Sequence, residues 1–204
     1  MHISEGVLNW QILSVGGCLS TAGVALGLKK LKNEEIPKTA VLTSAFFVAS
    51  LIHIPIGMTS AHLVLNGLLG ILLGWAAFPA ILIALILQAL LFQFGGFTSL
   101  GVNTFNMALP SVLCFYLFGW LVRSESKVLP LVGGTLSGAL SVLLSALLVA
   151  LSLYLSSSEM KTPAFAVVLT HIPVAAVEAV ITALIVSFLK SVKPQTFMRR
   201  EVND

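Results

Sequence analysis

Charged residues are scarce in this chain of 204 residues, of which only 9% are Asp, Glu, Lys or Arg. A soluble domain carries about 25%. Residues 39–122 contain no charged side chain, and neither do residues 6–28 or 128–158. With 57% hydrophobic residues, a compact soluble fold of this size could not hide its apolar surface from water. The composition excludes a soluble enzyme, a nucleic-acid-binding domain and a disordered chain, and it predicts an integral membrane protein.

The long uncharged run, 84 residues in all, has room for about four spans of roughly 20 residues each. Divided at its Gly, Pro and polar clusters, the chain is predicted to be all-α, a polytopic membrane protein with seven transmembrane helices in one domain, 1–204. The predicted helices lie near 7–29, 38–56, 60–74, 76–94, 104–122, 130–156 and 165–190. No basic region precedes the first apolar stretch, so we expect no signal peptide and a mature chain that begins at Met1.

The basic residues predict the orientation. With seven spans the chain ends lie on opposite sides, and Lys161 is then the only basic residue on the side of the N-terminus. The opposite side receives the other ten: Lys29, Lys30, Lys32, Lys38, Arg123, Lys127, Lys190, Lys193, Arg199 and Arg200. Because cytoplasmic loops are enriched in Lys and Arg, the N-terminus is predicted to be outside and the C-terminus cytoplasmic.

Cysteine is scarce too, since only Cys18 and Cys114 are present, both within predicted spans. They provide neither a disulfide framework nor a C-x-x-C metal site. The four histidines are more informative, because the predicted topology places all of them in the outer half of the protein. They are His2, His53, His62 and His171.

Met1 and His2 together form a potential chelate. The terminal amine and the amide nitrogen of His2 close a five-membered ring on a metal, and the same amide and the near imidazole nitrogen close a six-membered ring. This leaves one position of a square plane open for an imidazole from elsewhere, a geometry that suits Ni(II) or Cu(II), with Co(II) a chemical neighbour. The alternative is an ordinary terminal histidine without a ligand role.

His62 is a candidate for the open position, because Pro55 and Gly57 are predicted to place it at a turn on the outer face. It is equally consistent with a wetted residue at the membrane interface. The Gly-rich, uncharged segment 94–106 lies on the same side, and Asn103 and Asn106 share a helix face there. They are plausible hydrogen-bond partners for metal-bound imidazoles, although helix capping explains Asn103 as well.

His171 and Glu178 are seven residues apart and fall on one face of the last helix. Acidic groups at membrane depth face the protein interior. Glu178 is therefore a structural group, a partner of a metal ligand, a proton acceptor or a station for a cation, and we favour the first two roles.

These residues lie in segments that resemble the nickel/cobalt-binding M subunit of energy-coupling-factor transporters, a family that includes CbiM and NikM. The similar segments are Met1-His2-Ile3-Ser4-Glu5-Gly6, Gly57-Met58-Thr59-Ser60-Ala61-His62, residues 88–107 with Gly95-Gly96, Asn103 and Asn106, and His171-Ile172-Pro173 with Glu178. They run in order over nearly the whole chain. Glu5 and Ser60, which lie inside them, join the candidates for the surroundings of the metal or its path.

The resemblance implies a seven-helix substrate-capturing subunit in the cytoplasmic membrane of a prokaryote, which binds Ni(II) or Co(II) through Met1, His2 and His62. The ion is then substrate, and no permanent cofactor is expected. The chain has no Gly-x-x-x-x-Gly-Lys-Ser/Thr loop and is not predicted to be an enzyme. The resemblance implies separate partners: a membrane T component similar to CbiQ or NikQ, cytoplasmic ATPases similar to CbiO or NikO, and a small accessory membrane subunit.

Two other classes of function remain as alternatives. A membrane redox protein would use His53 and His171 as axial haem ligands, but this leaves the Met1-His2 pair unexplained. An intramembrane enzyme is the weaker alternative, since the sequence has no His-Glu-x-x-His and no Gly-x-Ser-x-Gly motif. Nickel and cobalt are not distinguished, because the same ligands serve both ions.

Overall fold

A computed structural model of the protein describes residues 2–56 and 59–197, without the side chains of residues 53–61. Most of the described chain is α-helical. The helices are α1 (Trp10–Lys30), α2 (Ile36–Ala49), α3 (Asn66–Leu73), α4 (Ala77–Phe92), α5 (Leu100–Arg123), α6 (Leu129–Ser156) and α7 (Lys161–Val192). Short 3-10 turns cover Asn33–Glu35, Gly74–Ala76, Ser158–Met160 and Pro194–Thr196.

Five stretches of the described chain are long and apolar enough to cross a membrane, which confirms a multi-pass helical membrane protein. They are Trp10–Lys30, Asn66–Phe92, Leu100–Arg123, Leu129–Ser156 and Ser158–Val192. Helix α2, with 14 residues, is shorter than a full span.

The predicted helices 38–56 and 60–74 are wrong where they approach each other. Helix α2 ends at Ala49, and two short antiparallel strands follow, β1 (His53–Ile56) and β2 (Thr59–His62), with His53 opposite His62. Helix α3 does not begin until Asn66. Pro55 has no backbone N–H to donate within a helix, and it lies opposite Ser60 in the paired strands instead.

Helix α3 packs against α5 and runs parallel to it. Near its start, the Asn66 side chain donates to the carbonyl of Met107, 3.4 Å away. Just beyond its end, the Trp75 indole donates to the Tyr116 hydroxyl at 2.9 Å. Residue numbers increase in the same direction along both helices from the first contact to the second, so α3 and α5 are parallel.

Helix α4 runs back against them. Between α3 and α4 lies Gly74, whose φ of 56° is favourable only for glycine. Late in α4, Gln88 contacts His2, whose neighbour Ile3 is bonded to Asn103 near the start of α5. The stretch Asn66–Phe92 is therefore a tight hairpin of a short helix and a longer one, and α3 starts deep within the helical core.

Glycines let the interior helices approach closely. A Cβ atom at Gly67 would collide with the Ser137 carbonyl, and one at Gly70 would collide with the Ser111 carbonyl. On α6, a Cβ at Gly138 would collide with the carbonyl of Glu178 on α7. Small residues allow such backbone contacts between membrane helices, and here they fix α3, α5, α6 and α7 around one core.

The segment before α1 is tied to the far end of α6. The side chain of Asn9 caps α1 by accepting from Ile12 N at 3.0 Å and donates to the Ser156 carbonyl at 3.0 Å. Asn9 N also donates to the Ser156 hydroxyl at 2.6 Å. Residues 2–9 therefore lie across the helix ends that carry the candidate site.

Candidate metal centre

Two of the predicted ligands, His2 and His62, lie side by side. Their ring centroids are 4.9 Å apart with an interplanar angle of 65°. Nδ1 of His2 faces Nε2 of His62 at 3.2 Å. Sixty residues of sequence separate them, so strand β2 and the N-terminal segment must each be placed independently to make this contact.

The remaining nitrogen of each ring is bonded to an oxygen that only accepts. Nε2 of His2 lies 2.5 Å from Oε1 of Gln88, and Nδ1 of His62 lies 2.8 Å from the carbonyl of Leu63. Amide oxygens accept and never donate, so both of these ring nitrogens carry hydrogen. The neutral rings therefore present lone pairs at His2 Nδ1 and His62 Nε2, the two atoms that face each other.

Burial keeps His2 neutral. Burial is the largest cause that lowers the pKa of His2 well below its usual range, and repulsion from His62 adds to it. Metals bind the neutral imidazole. The site therefore presents His2 in the protonation state that a metal ligand needs.

The side chain of Asn103 holds the N-terminal segment in place by bonding to both backbone groups of Ile3. Its Oδ1 accepts from Ile3 N at 3.0 Å, and its Nδ2 donates to the Ile3 carbonyl at 3.0 Å. The Ser99 hydroxyl donates to the same carbonyl at 2.7 Å. Asn103 is thus bonded to the backbone next to His2.

Glu5 anchors the segment on its other side. Its carboxylate accepts from Thr98 N at 3.3 and 3.4 Å, and it lies against Gly96, where any Cβ would collide with it. The preceding Gly95, at φ 78°, faces His2, with an ideal Cβ only 3.5 Å from the imidazole. The Gly-rich segment after α4 therefore cradles residues 2–5.

The other candidates lie elsewhere. Asn106 donates to the Ser152 hydroxyl on α6 at 3.2 Å. Nδ1 of His171 is bonded to the Val167 carbonyl of its own helix at 2.7 Å. Glu178 accepts from the backbone amides of Val64 and Leu65, in the short connection between His62 and α3.

Met1 and the side chains of His53 and Ser60 lie outside the described residues. The haem alternative, which needs His53 beside His171, gains no support from the described contacts. The described residues also hold no group of three or more His, Cys, Asp and Glu side chains.

Gln88 is a site residue that sequence reasoning missed. It is fully buried in α4, and its Nε2 has no hydrogen-bond partner within the described part of the chain. The one available signal was a glutamine among aliphatic residues, since such a group is costly to bury unless it is bonded.

Replacing Gln88 with Leu is expected to weaken metal binding about 10- to 100-fold, the usual cost of losing the outer partner of a histidine ligand. Without this acceptor, the His2 ring is no longer held with Nδ1 toward His62. Gln88→Glu keeps an acceptor oxygen and should retain binding, and Leu87→Ala, on the exposed side of α4, is the control. Isothermal titration calorimetry with Ni(II) measures the affinity of each variant. Unchanged affinity in a folded Gln88→Leu protein would contradict this role.

Comparisons with known proteins show which proteins this chain resembles. The family model described as cobalt uptake substrate-specific transmembrane region (CbiM) matches residues 2–196. A putative metal transport protein of Haemophilus influenzae is 40% identical over 203 residues, 98% of each chain. A putative fused nickel transport protein, NikMN, of Archaeoglobus fulgidus is 29% identical and matches 98% of this chain over 69% of its own length. A crystal structure of a transition metal transporter superposes with a TM-score of 0.71 at 28% identity, covering 94% of this chain and 93% of that one.

Proposed function

This chain belongs to the CbiM family of cobalt-uptake transmembrane proteins, and we propose that it is the subunit that captures Ni(II) or Co(II) for an ATP-driven importer. Similarity to transport proteins is consistent with a transport role for it rather than an enzymatic one. The ion is its substrate. The proposed ligands are the amine of Met1, the amide and imidazole of His2, and the imidazole of His62.

The facing lone pairs of His2 and His62 carry this proposal. Two nitrogen ligands at right angles, each about 2.0 Å from a metal, lie about 2.8 Å apart. The observed separation of 3.2 Å is within a few tenths of an ångström of that value. Each ring is already held in the required tautomer, so a metal meets a prearranged pair of neighbouring ligands.

The chelate at the chain end supplies the other two ligands. With His2 Nδ1 bound, the His2 amide and the Met1 amine complete fused five- and six-membered rings. The imidazole of His62 then stands opposite the amide and beside His2 Nδ1, which agrees with the short contact between the two rings. Four nitrogens in a plane favour Ni(II) and Cu(II) over Zn(II), which prefers a tetrahedron.

We further propose seven crossings with the N-terminus outside. In this proposal α4 is one pass, α3 forms another together with the extended residues before it, and the short α2 supplies a third with the residues that flank it. Basic residues gather at the opposite end from His2. Lys38 donates to the Leu72 carbonyl at 2.8 Å, and Lys190 to that of Ser124 at 2.8 Å. This is the pattern expected of a cytoplasmic face.

The energy must come from other chains, because this one has no phosphate-binding loop of the usual type. In our proposal the whole chain, 1–204, is one capture domain in the cytoplasmic membrane. It works with a T component similar to CbiQ or NikQ, with cytoplasmic ATPases similar to CbiO or NikO, and with a small accessory membrane subunit. The name of the Archaeoglobus relative describes a fusion, which supports cooperation with a further component.

Titration of the purified protein with Ni(II) and Co(II) tests the proposal. One ion per chain is expected to bind, and the Ni(II) complex should be square planar and therefore diamagnetic. Binding should also release about one proton from the His2 amide, measurable as a dependence of the heat on the buffer. A paramagnetic, six-coordinate Ni(II) complex, or no saturable binding, would overturn the proposed ligand set.

A further inference from the structure

Glu178 is a fully buried carboxylate in the middle of α7. One of its oxygens, Oε1, accepts the amides of Val64 and Leu65, the second at 2.9 Å. Its other oxygen has no hydrogen-bond partner within the described part of the chain. A buried acidic group in a membrane protein is costly to retain, so its partners indicate its purpose.

The amide of Val64 belongs to the peptide group that also contains the carbonyl of Leu63. That carbonyl accepts Nδ1–H of His62 at 2.8 Å. The described chain has no cis peptide bond, so the N–H and C=O of this group point in opposite directions. A continuous path therefore runs from the Glu178 carboxylate, through one peptide group, to the His62 ring.

We propose that Glu178 is a positioning residue for metal capture that acts on His62 through the Leu63–Val64 peptide group. This inference rests on the proposed function of His62 as a ligand. The carboxylate fixes the plane of the peptide and so aims the carbonyl at Nδ1 of His62. Hydrogen bonds in such a chain polarise one another, so the carbonyl becomes a stronger acceptor and His62 Nε2 a stronger donor to the metal.

The same contact holds the start of α3. Leu65, the residue before this helix, has a φ of 54°, a left-handed conformation that is unusual for leucine. Helix starts leave amides without partners, and Glu178 accepts two of the amides in this connection. Helix α7 thereby determines where β2 ends and where its last residue, His62, sits relative to His2.

Variants at Glu178 test this relay by Ni(II) affinity, measured in competition with a chelator. Glu178→Gln, nearly identical in shape, is expected to bind about tenfold more weakly, and Glu178→Ala up to about 100-fold, within the range for outer partners of metal ligands. Thr182→Val is the control. It removes a buried hydroxyl one turn along α7 that has no partner among the described residues, and it should bind within about twofold of wild type.

The ring of His62 gives a readout that a merely structural role would not move. Nitrogen NMR of histidine-labelled, metal-free wild-type protein should show His62 with hydrogen on Nδ1, and Glu178→Gln should shift that signal or mix the two tautomers. This measurement on wild type keeps the inference testable even where a variant does not fold. Hydrogen on Nε2 of His62 in wild type would overturn it.

The outcomes separate the two proposals. A wild-type protein that binds no Ni(II) contradicts the proposed function itself. A wild-type protein that binds Ni(II), together with a folded Glu178→Ala variant of equal affinity, contradicts only the relay.

Discussion

A His62→Ala variant is expected to bind Ni(II) at least about 100-fold more weakly than wild type. Outer partners of a metal-bound histidine alone contribute 10- to 100-fold, and this change removes the ligand itself. In our proposal it also leaves nitrogens at only three corners of the square plane, so that water must take the fourth position. The absorption spectrum of the bound ion should change along with the affinity.

His171→Ala is the matched control. It also deletes a mostly buried imidazole, but that ring is bonded to the Val167 carbonyl within α7. Titration calorimetry on both variants should show the loss only for His62. Equal losses would indicate a general effect on the fold, and full affinity in a folded His62→Ala protein would contradict the ligand assignment.

A chain that carries the residues Gly-Ser-Gly before Met1 is expected to lose Ni(II) binding by about 100-fold or more. The extension converts the amine of Met1 into an amide and breaks the terminal chelate, while both imidazoles remain in place. Affinity and the magnetic state of the bound Ni(II) measure the effect.

A shorter extension would be a poorer test. One added residue makes the histidine third in the chain, and an amine, two amides and an imidazole then form a four-nitrogen square plane without His62. The control for the longer extension is the same three residues placed after Asp204, which should bind as wild type does. Undiminished, His62-dependent affinity in the extended chain would exclude the terminal amine as a ligand.

The sequence was sufficient for the helical membrane fold, because uncharged apolar runs separate helices from loops. It left His62 open between a ligand and an interfacial residue, and only the family resemblance implied that His62 joins His2. Local patterns failed at residues 50–56 and 59–65, where an apolar stretch resembles a helix but forms two paired strands and an extended connection. The acceptor that stabilises this connection, Glu178, lies more than a hundred residues later.

Asn103 and Gln88 illustrate the same limit. The sequence indicated Asn103 as a partner of an imidazole or as a helix cap, and the structure bonds it to both backbone groups of Ile3. Gln88 has no neighbour in sequence that marks it. Which polar group meets which partner depends on how α4 and α5 pack against residues 2–5, and that arrangement is a property of the assembled helices.

The order of synthesis has a consequence for the N-terminal segment. His2 is among the first residues made, yet its partner Gln88 follows 86 residues later, and Asn103 follows Ile3 by 100. Glu178 emerges after α6 has been completed. A nascent chain therefore inserts most of its helices while its first residues wait without partners. The acceptor for the amides of Val64 and Leu65 is in place only when α7 has entered the bilayer, so chains stalled earlier in translation should bind the ion more weakly.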